Sequence, residues 1–271
     1  MTGVQTCALP ISYQRRACER DTHPVKALLL AAGMGTRLRP LTDSIPKCLV
    51  PIHGKPLLSY WFEMLSRAGV SPLLVNLHYF AEMVQEYIAG SGYRNISTVY
   101  ESELLGTAGT LLKNRAFFDN EPFMLIHADN LSRFDVSAFI DQHTARPAGC
   151  EITMMTFETD CPQSCGIVEI DSRGVVTAFH EKVANPPGNL ANGAVYIMEP
   201  SIFDFLESLG KREIDFSTEV LPQYLGKIYT FLNNCYHRDI GTVESYSSAL
   251  DEYAEIEPLT EVEIPPKNHG G

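Results

Sequence analysis

No window of this 271-residue chain approaches the roughly 18 consecutive apolar residues that a membrane span needs. Basic residues are scarce: 21 Lys and Arg stand against 33 Asp and Glu, a formal charge of -12. A broad basic surface for nucleic acid is therefore not expected, and any anion site must be a local pocket in an acidic protein. Cysteine gives no disulfide framework. The seven residues Cys7, Cys18, Cys48, Cys150, Cys161, Cys165 and Cys235 are odd in number and irregular in spacing, which predicts free thiols in a reducing, cytoplasmic setting. Cys161 and Cys165 have no second Cys or His pair near them in sequence, so a metal is not expected there. Repeats of 20–50 residues and low-complexity tracts are absent, and so is a hexapeptide solenoid that would form a C-terminal β-helix.

What is present is a composition that is 45% hydrophobic, enough for a sizeable core. Residues 1–24 have neither a helix nor a strand period, and Gln5, Thr6 and Pro10 break the apolar core a signal peptide needs. The opening is similar to translated adapter read-through, so residues 1–24 are expected to be a non-native or disordered extension. From Val25 onward, strand and helix patterns alternate. Strands are expected at 72–77, 95–100 and 123–126, with helices around 57–68, 80–88 and 111 and at 135–146. The second half is richer in β: 150–157, 166–170, 175–179 and 194–198, with a hairpin turn at Asp171-Ser172-Arg173-Gly174. Helices are expected after Pro200 and at 216–226 and 242–255, with a strand at 227–232. The series reads as an α/β, Rossmann-like three-layer domain over 25–254 with a mixed, mostly parallel sheet. Residues 255–271 read as an acidic flexible tail. In such sheets ligands gather at the carboxyl ends of strands, so Gly33, His78, Glu101 and Asp129, each just past a strand-like run, should converge. His78 and Tyr79 would rim the pocket, and His127 would pack at a strand end.

The most informative stretch follows the first strand. In Ala31-Ala32-Gly33-Met34-Gly35-Thr36-Arg37-Leu38-Arg39-Pro40-Leu41-Thr42, the glycines let backbone approach phosphate and line up N–H groups toward an anion. Leu38 stands where a dinucleotide fingerprint needs a third glycine, and no Gly-Lys-Ser/Thr completes a Walker A loop. Two glycines alone fit an ordinary turn. Arg37 and Lys47 add a bidentate fork and a point charge, which a triphosphate requires.

With Pro46-Lys47 and Lys55-Pro56, this stretch closely resembles the signature of the sugar-1-phosphate nucleotidylyltransferases, and Gly106-Thr107-Ala108-Gly109 most resembles their mannose-1-phosphate guanylyltransferase branch. The resemblance runs in order from about Val25 to Tyr253, through Leu105-Gly106-Thr107-Ala108-Gly109, Asp129-Asn130, Glu181-Lys182 and Asp239-Ile240-Gly241-Thr242. It implies joining of a nucleoside triphosphate, GTP favoured, to a sugar 1-phosphate, with pyrophosphate leaving in line. Arg37 and Lys47 would then be catalytic, stabilising the developing charge. Ala31, Ala32, Gly33, Gly35 and Thr36 would bind nucleotide, as would Gly106, Thr107 and Ala108 in a nucleobase loop. Asp129 and Asp239 would hold Mg²⁺, which takes one or two carboxylates plus phosphate and water. Glu181, Lys182 and Asn192 would hold the sugar phosphate. Glu101 has its own chemical argument: a carboxylate accepts from both guanine N1–H and N2–H₂, and uracil offers only one such donor. A solvated strand end is the plain alternative.

The pattern departs from the family at three places: Val183 follows Glu181-Lys182 where proline is usual, Ala194 stands where glycine is usual, and His237-Arg238 precede Asp239 where an aromatic is common. A uridylyl- or thymidylyltransferase and a non-catalytic nucleotide-sugar-binding subunit are the competing readings. A homo-oligomer stays open.

Overall fold

In the computed structural model, residues 24–256 are described. The expectations for residues 1–23 and for the tail beyond 256 lie outside them. The run Lys26–Leu30 forms β1. Three single 3₁₀ turns follow at Thr36–Leu38, Leu41–Asp43 and Lys47–Leu49. A small ribbon, β2 (Pro51–Ile52) with β3 (Lys55–Pro56), leads into α1 (Leu57–Arg67). The alternation continues with β4 (Leu73–Leu77), α2 (Ala81–Gly90), β5 (Ile96–Tyr100), α3 (Gly106–Lys113) and β6 (Phe123–His127). Then come β7 (Asn130–Arg133), α4 (Val136–Thr144), β8 (Ile152–Glu158), β9 (Gly166–Ile170), β10 (Val176–Glu181) and β11 (Leu190–Met198). The chain closes with α5 (Ile202–Ser208), β12 (Ile228–Leu232), β13 (Tyr236–Asp239) and α6 (Val243–Glu255).

One nine-stranded sheet carries the order β10-β9-β11-β6-β1-β4-β5, with β8 on β11 and β12 on β8. The half built from β6, β1, β4 and β5 is parallel. The β9, β10 and β11 part is antiparallel, which makes the sheet mixed as its sequence pattern predicts. Both faces are covered. On β1, Ala27 and Leu29 join one core cluster with Trp61, Phe62 and Phe139, while Leu28 joins the opposite cluster with Phe123, Phe203 and Phe216. Each fully buried Leu or Phe among them contributes roughly 2 kcal/mol of transfer free energy. That two-sided burial is why β1 reads as an unbroken apolar run.

Three local expectations are corrected. The helix expected over 216–226 is a π turn, Phe216–Val220, running into a 3₁₀ turn, Leu221–Tyr224. The Asp215 side chain caps the first, and Pro222 lacks the N–H that a continuing α-helix would use. The stretch from Gly106 to Gly109 is the first turn of α3, not a free loop. The strand expected from Ala194 begins at Leu190, because a bulge between Asn192 and Tyr196 splits it in register. Before the bulge Ala191 pairs with Ile167 of β9, and after it Val195 to Met198 pair with β6. One strand thus changes neighbours, and the bulge residue Ala194 sits at φ 54°.

An L-residue in that left-handed region carries a steric cost of about 1–2 kcal/mol that glycine avoids, partly offset by the entropy glycine loses on folding. Ala194→Gly should therefore stabilise the protein by roughly 0.5–1 kcal/mol. The expected reading is a higher urea midpoint at unchanged m-value, and a lower midpoint would contradict the strain assignment.

Candidate active site

The site is built around Lys47. Its 3₁₀ turn sits behind Gly35, whose φ is 58° and where a Cβ would lie 3.1 Å from Lys47 Cβ and 3.0 Å from Thr42 Cγ2. Glycine lets the phosphate-type loop close onto the lysine stem, and the Thr42 hydroxyl fastens it by donating to the Gly35 carbonyl at 2.8 Å. Tyr79 OH donates to the Thr42 carbonyl at 3.3 Å and ties this turn to the end of β4.

The Lys47 side chain is only 6% exposed, and its Nζ donates to Asp129 Oδ2 at 2.8 Å and to Asp239 Oδ1 at 3.3 Å. Arg37 Nη2 approaches Asp239 Oδ2 at 3.9 Å. Burial works against charge on Lys47, yet Asp129 and Asp239 outweigh it and raise its pKa above the ordinary lysine value. Burial also penalises the Asp129 carboxylate, and Lys47 reverses the sign, holding that pKa below its usual range. Both shifts favour the charged pair.

The two carboxylates come from residues 110 apart, and a second ribbon joins them. β13 pairs antiparallel with β7, and Asp239 lies opposite Asn130. Trp61 Nε1–H of α1 donates to the Asn130 carbonyl at 2.9 Å, which seats the ribbon on the helix. Ser132 Oγ and His237 Nδ1 share a hydrogen bond of 2.6 Å, and burial holds His237 down at about 3, hence neutral. Gly241 gives Asp239 room: a Cβ there would lie 2.6 Å from Asp239 Oδ2 and 3.0 Å from Arg37 Nη2.

Arg37, Lys47, Asp129 and Asp239 are thus brought together, with Gly33, Gly35 and Thr36 on the same loop. The other positions are more mixed. Ala31 and Ala32 are buried, and the Ala31 N–H is taken by Asn76 Oδ1 at 2.8 Å, so it is not available to phosphate. Ala108 is fully buried and its N–H donates to the Ile214 carbonyl at 3.0 Å. Thr107 Oγ1 accepts from the Phe216 N–H at 2.7 Å, and Gly106 lies against the same Ile214 backbone. The start of α3 is therefore strapped by residues 212–216, and the N–H groups of Ala108 and Gly109 are both taken by the Ile214 carbonyl. Glu101 is not a solvated strand end: it is 0% exposed. Its Oε2 accepts from Thr110 Oγ1 at 3.1 Å. His78 Nδ1–H donates to the Glu101 carbonyl at 2.7 Å.

On the far side, Lys182 has φ 48° and lies 3.3 Å from Glu181, with 62% of its side chain exposed. Asn192 is turned inward: Nδ2 donates to Tyr196 OH at 2.7 Å and Oδ1 accepts from the Ala194 N–H at 2.9 Å. Asp215 was not singled out by sequence. Its carboxylate acts on both His127 and Tyr196, although burial is the larger influence on each and lowers the His127 pKa. Burial pushes the Cys48 thiol up to about 12, so a thiolate beside Lys47 plays no part.

No group of three or more His, Cys, Asp or Glu side chains that could hold a metal ion occurs among the described residues. Two carboxylates facing one point fit an ion that completes its shell with phosphate and water, but not a cage formed by protein alone.

A family model described as nucleotidyl transferase matches residues 26–256. The chain is 32% identical over 231 residues to a mannose-1-phosphate guanylyltransferase of Mycobacterium tuberculosis, covering 83% of this chain and 63% of the relative. It is 29% identical over 244 residues to a UTP–glucose-1-phosphate uridylyltransferase of Synechocystis, covering 83% and 62%. The chain thus spans less than two thirds of the length of these relatives. Among solved structures, HddC from Yersinia pseudotuberculosis complexed with GMP-PN matches with a TM-score of 0.71 at 27% identity, covering 84% of this chain and 99% of that one.

Lys47→Met should remove the cation that Asp129 faces. Asp129 is part-exposed, so the expected loss lies between surface and buried pairs, roughly 1–3 kcal/mol. The Asp129 pKa is depressed, so its share is present above about pH 4 and is lost as pH falls through the folded value. The Lys47 pKa is raised, so its share is present below about pH 10 and is lost as pH rises through the folded value. Denaturant titrations of both proteins should therefore differ most between roughly pH 5 and 10, converging at either end. A difference independent of pH would refute the pairing.

Proposed function

Because the chain belongs to the nucleotidyl transferase family, we propose that it joins a nucleoside triphosphate to a sugar 1-phosphate, giving a nucleoside diphosphate sugar and pyrophosphate. The observation that carries this reading is the convergence of Lys47, Arg37, Asp129 and Asp239 behind a glycine-rich loop at the end of β1. A sugar-phosphate oxygen attacks the α-phosphorus, forming one P–O bond. The α–β anhydride bond breaks, and its electron pair leaves on pyrophosphate. Such a transfer asks for positioning and charge neutralisation more than covalent work by the protein.

In this reading Lys47 and Arg37 neutralise the triphosphate as charge develops on the leaving group. Asp129 and Asp239 would hold Mg²⁺, which would supply positive charge to offset that of the phosphates. Gly33, Gly35 and Thr36 bring backbone to the phosphates. Lys182, exposed beside Glu181, is free to meet the sugar phosphate, and Glu181 to accept from sugar hydroxyls. The favoured pair is GTP with mannose 1-phosphate, supported by the Gly106–Gly109 signature, by a carboxylate at position 101, and by the guanylyltransferase relative. The uridylyltransferase relative supports the alternative base. A non-catalytic binding subunit would have no use for all four charged residues together. A cytoplasmic setting agrees with the five described cysteines being free.

Pyrophosphate release by the purified protein, measured with mannose and glucose 1-phosphates against GTP, UTP, dTTP and ATP, tests the reading. Turnover is expected with GTP and mannose 1-phosphate, and a clear preference for UTP or dTTP would reject the guanine assignment. Lys47→Met should lower kcat by two or more orders of magnitude while the fold is kept. Asp239→Ala at full rate would contradict the metal assignment.

A further inference from the structure

We propose that Asn76 and Thr110 are positioning residues that fix which edge residue 101 shows to the nucleobase, and so set selectivity for guanine. Asn76 is the one polar residue in the otherwise apolar β4 and is 3% exposed. Its Oδ1 accepts from the Ala31 N–H at 2.8 Å, which orients the carboxamide. The Nδ2 end is left to face Glu101 Oε2, at a long 3.5 Å. Thr110 of α3, 2% exposed, gives the same oxygen a second donor at 3.1 Å. Oε2 is thereby occupied from within the protein.

Oε1 of the same carboxylate is buried and has no hydrogen-bond partner. Buried polar atoms are almost always paired, so an orphan acceptor asks for a donor from outside. It stands at the carboxyl end of β5, next to the ends of β1 and β4, where sheets of this kind take ligands. The flanking residues Tyr100 and Ser102–Leu104 are exposed, so this strand end lies near the surface. The missing partner is an N–H donor such as guanine N1–H, with N2–H₂ able to reach the second lone pair of the same oxygen. The two donors on the protein side decide more than the position of the group. A glutamine at 101 would have to turn its carbonyl oxygen toward Asn76 and Thr110, leaving its NH₂ where Oε1 now stands. The edge shown to the base would change from acceptor to donor. This rests on the nucleotidyl-transfer reading for the identity of the ligand.

The test measures equilibrium binding of GTP, UTP, dTTP and ATP with Mg²⁺, beside turnover, so that the two readings fail separately. The proteins are the natural chain, Thr110→Val, Thr110→Ser and Glu101→Gln. The natural chain should favour GTP over UTP. Thr110→Val should shrink that ratio roughly tenfold by weakening GTP alone, raising its KM more than it changes kcat. Thr110→Ser should restore the ratio. Glu101→Gln should move the preference toward UTP and dTTP, whose carbonyl oxygens accept from an NH₂. An unchanged ratio in Thr110→Val, an equal loss on all four nucleotides, or a natural chain that favours UTP would each overturn the proposal. Selective binding without pyrophosphate release would uphold it and defeat the transfer reading. Turnover without selectivity would do the reverse.

Discussion

A buried ammonium between two carboxylates is the constraint on which the rest of this structure depends. Taking Lys47 out of water is unfavourable unless opposite charge meets it, and Asp129 and Asp239 do so from parts of the chain 110 residues apart. The cluster is close to neutral, two cations against two anions, inside a chain of formal charge -12. A polyphosphate that engages Lys47 and Arg37 takes them from these carboxylates. Two carboxylates left facing one point repel, and one of them would be driven to protonate unless another cation arrived. In the proposed reaction a triphosphate that brings its own divalent ion meets both demands at once. The same reasoning fits the absence, among the described residues, of any group of three or more side chains that could hold a metal.

The ribbon of β7 and β13 makes that contact possible. The main sheet places Asp129 at the end of β6, but it offers no strand on which Asp239 could arrive. The chain leaves the sheet after β12 and returns antiparallel to β7, so that Asp239 falls opposite Asn130. Trp61 fixes the ribbon from below, and α6 packs Ala249 against Leu131 and Ile240 from the side. Removing this lateral support would leave Asp239 with its sequence context intact but with no fixed distance to Lys47.

Much of this was legible in the sequence, for identifiable reasons. Buried parallel strands announce themselves as apolar runs, so β1, β4 and β6 fell within a residue or two of their expected places. The charged residues stood in a long motif whose order survives in one chain. What sequence did not reveal depends on contacts between elements. Asn76 carried a signal, a lone amide in an apolar strand, but its partner Thr110 carried none, since a threonine in a helix has many ordinary uses. The strap of residues 212–216 over the start of α3 was equally hidden. Nothing in Gly106-Thr107-Ala108 shows that the Ile214 carbonyl will take two of that turn's N–H groups.

The β11 bulge gives Asn192, expected at the sugar phosphate, a structural task inside its own strand. Asn192 stands beside the proposed sugar side, and its amide has four hydrogen-bonding sites in all. One donor goes to Tyr196 OH and one lone pair to the Ala194 N–H. Those bonds span the kink at which β11 leaves β9 for β6. They also hold Ala194 in a backbone region that alanine avoids. If Asn192 gave up either bond to a sugar hydroxyl, the kink would lose its brace and the strained residue would relax. Beyond these two bonds the amide keeps one donor and one lone pair. In the proposed reading a phosphorylated sugar would meet Lys182, at the surface, and Glu181, whose present partner is its own neighbour.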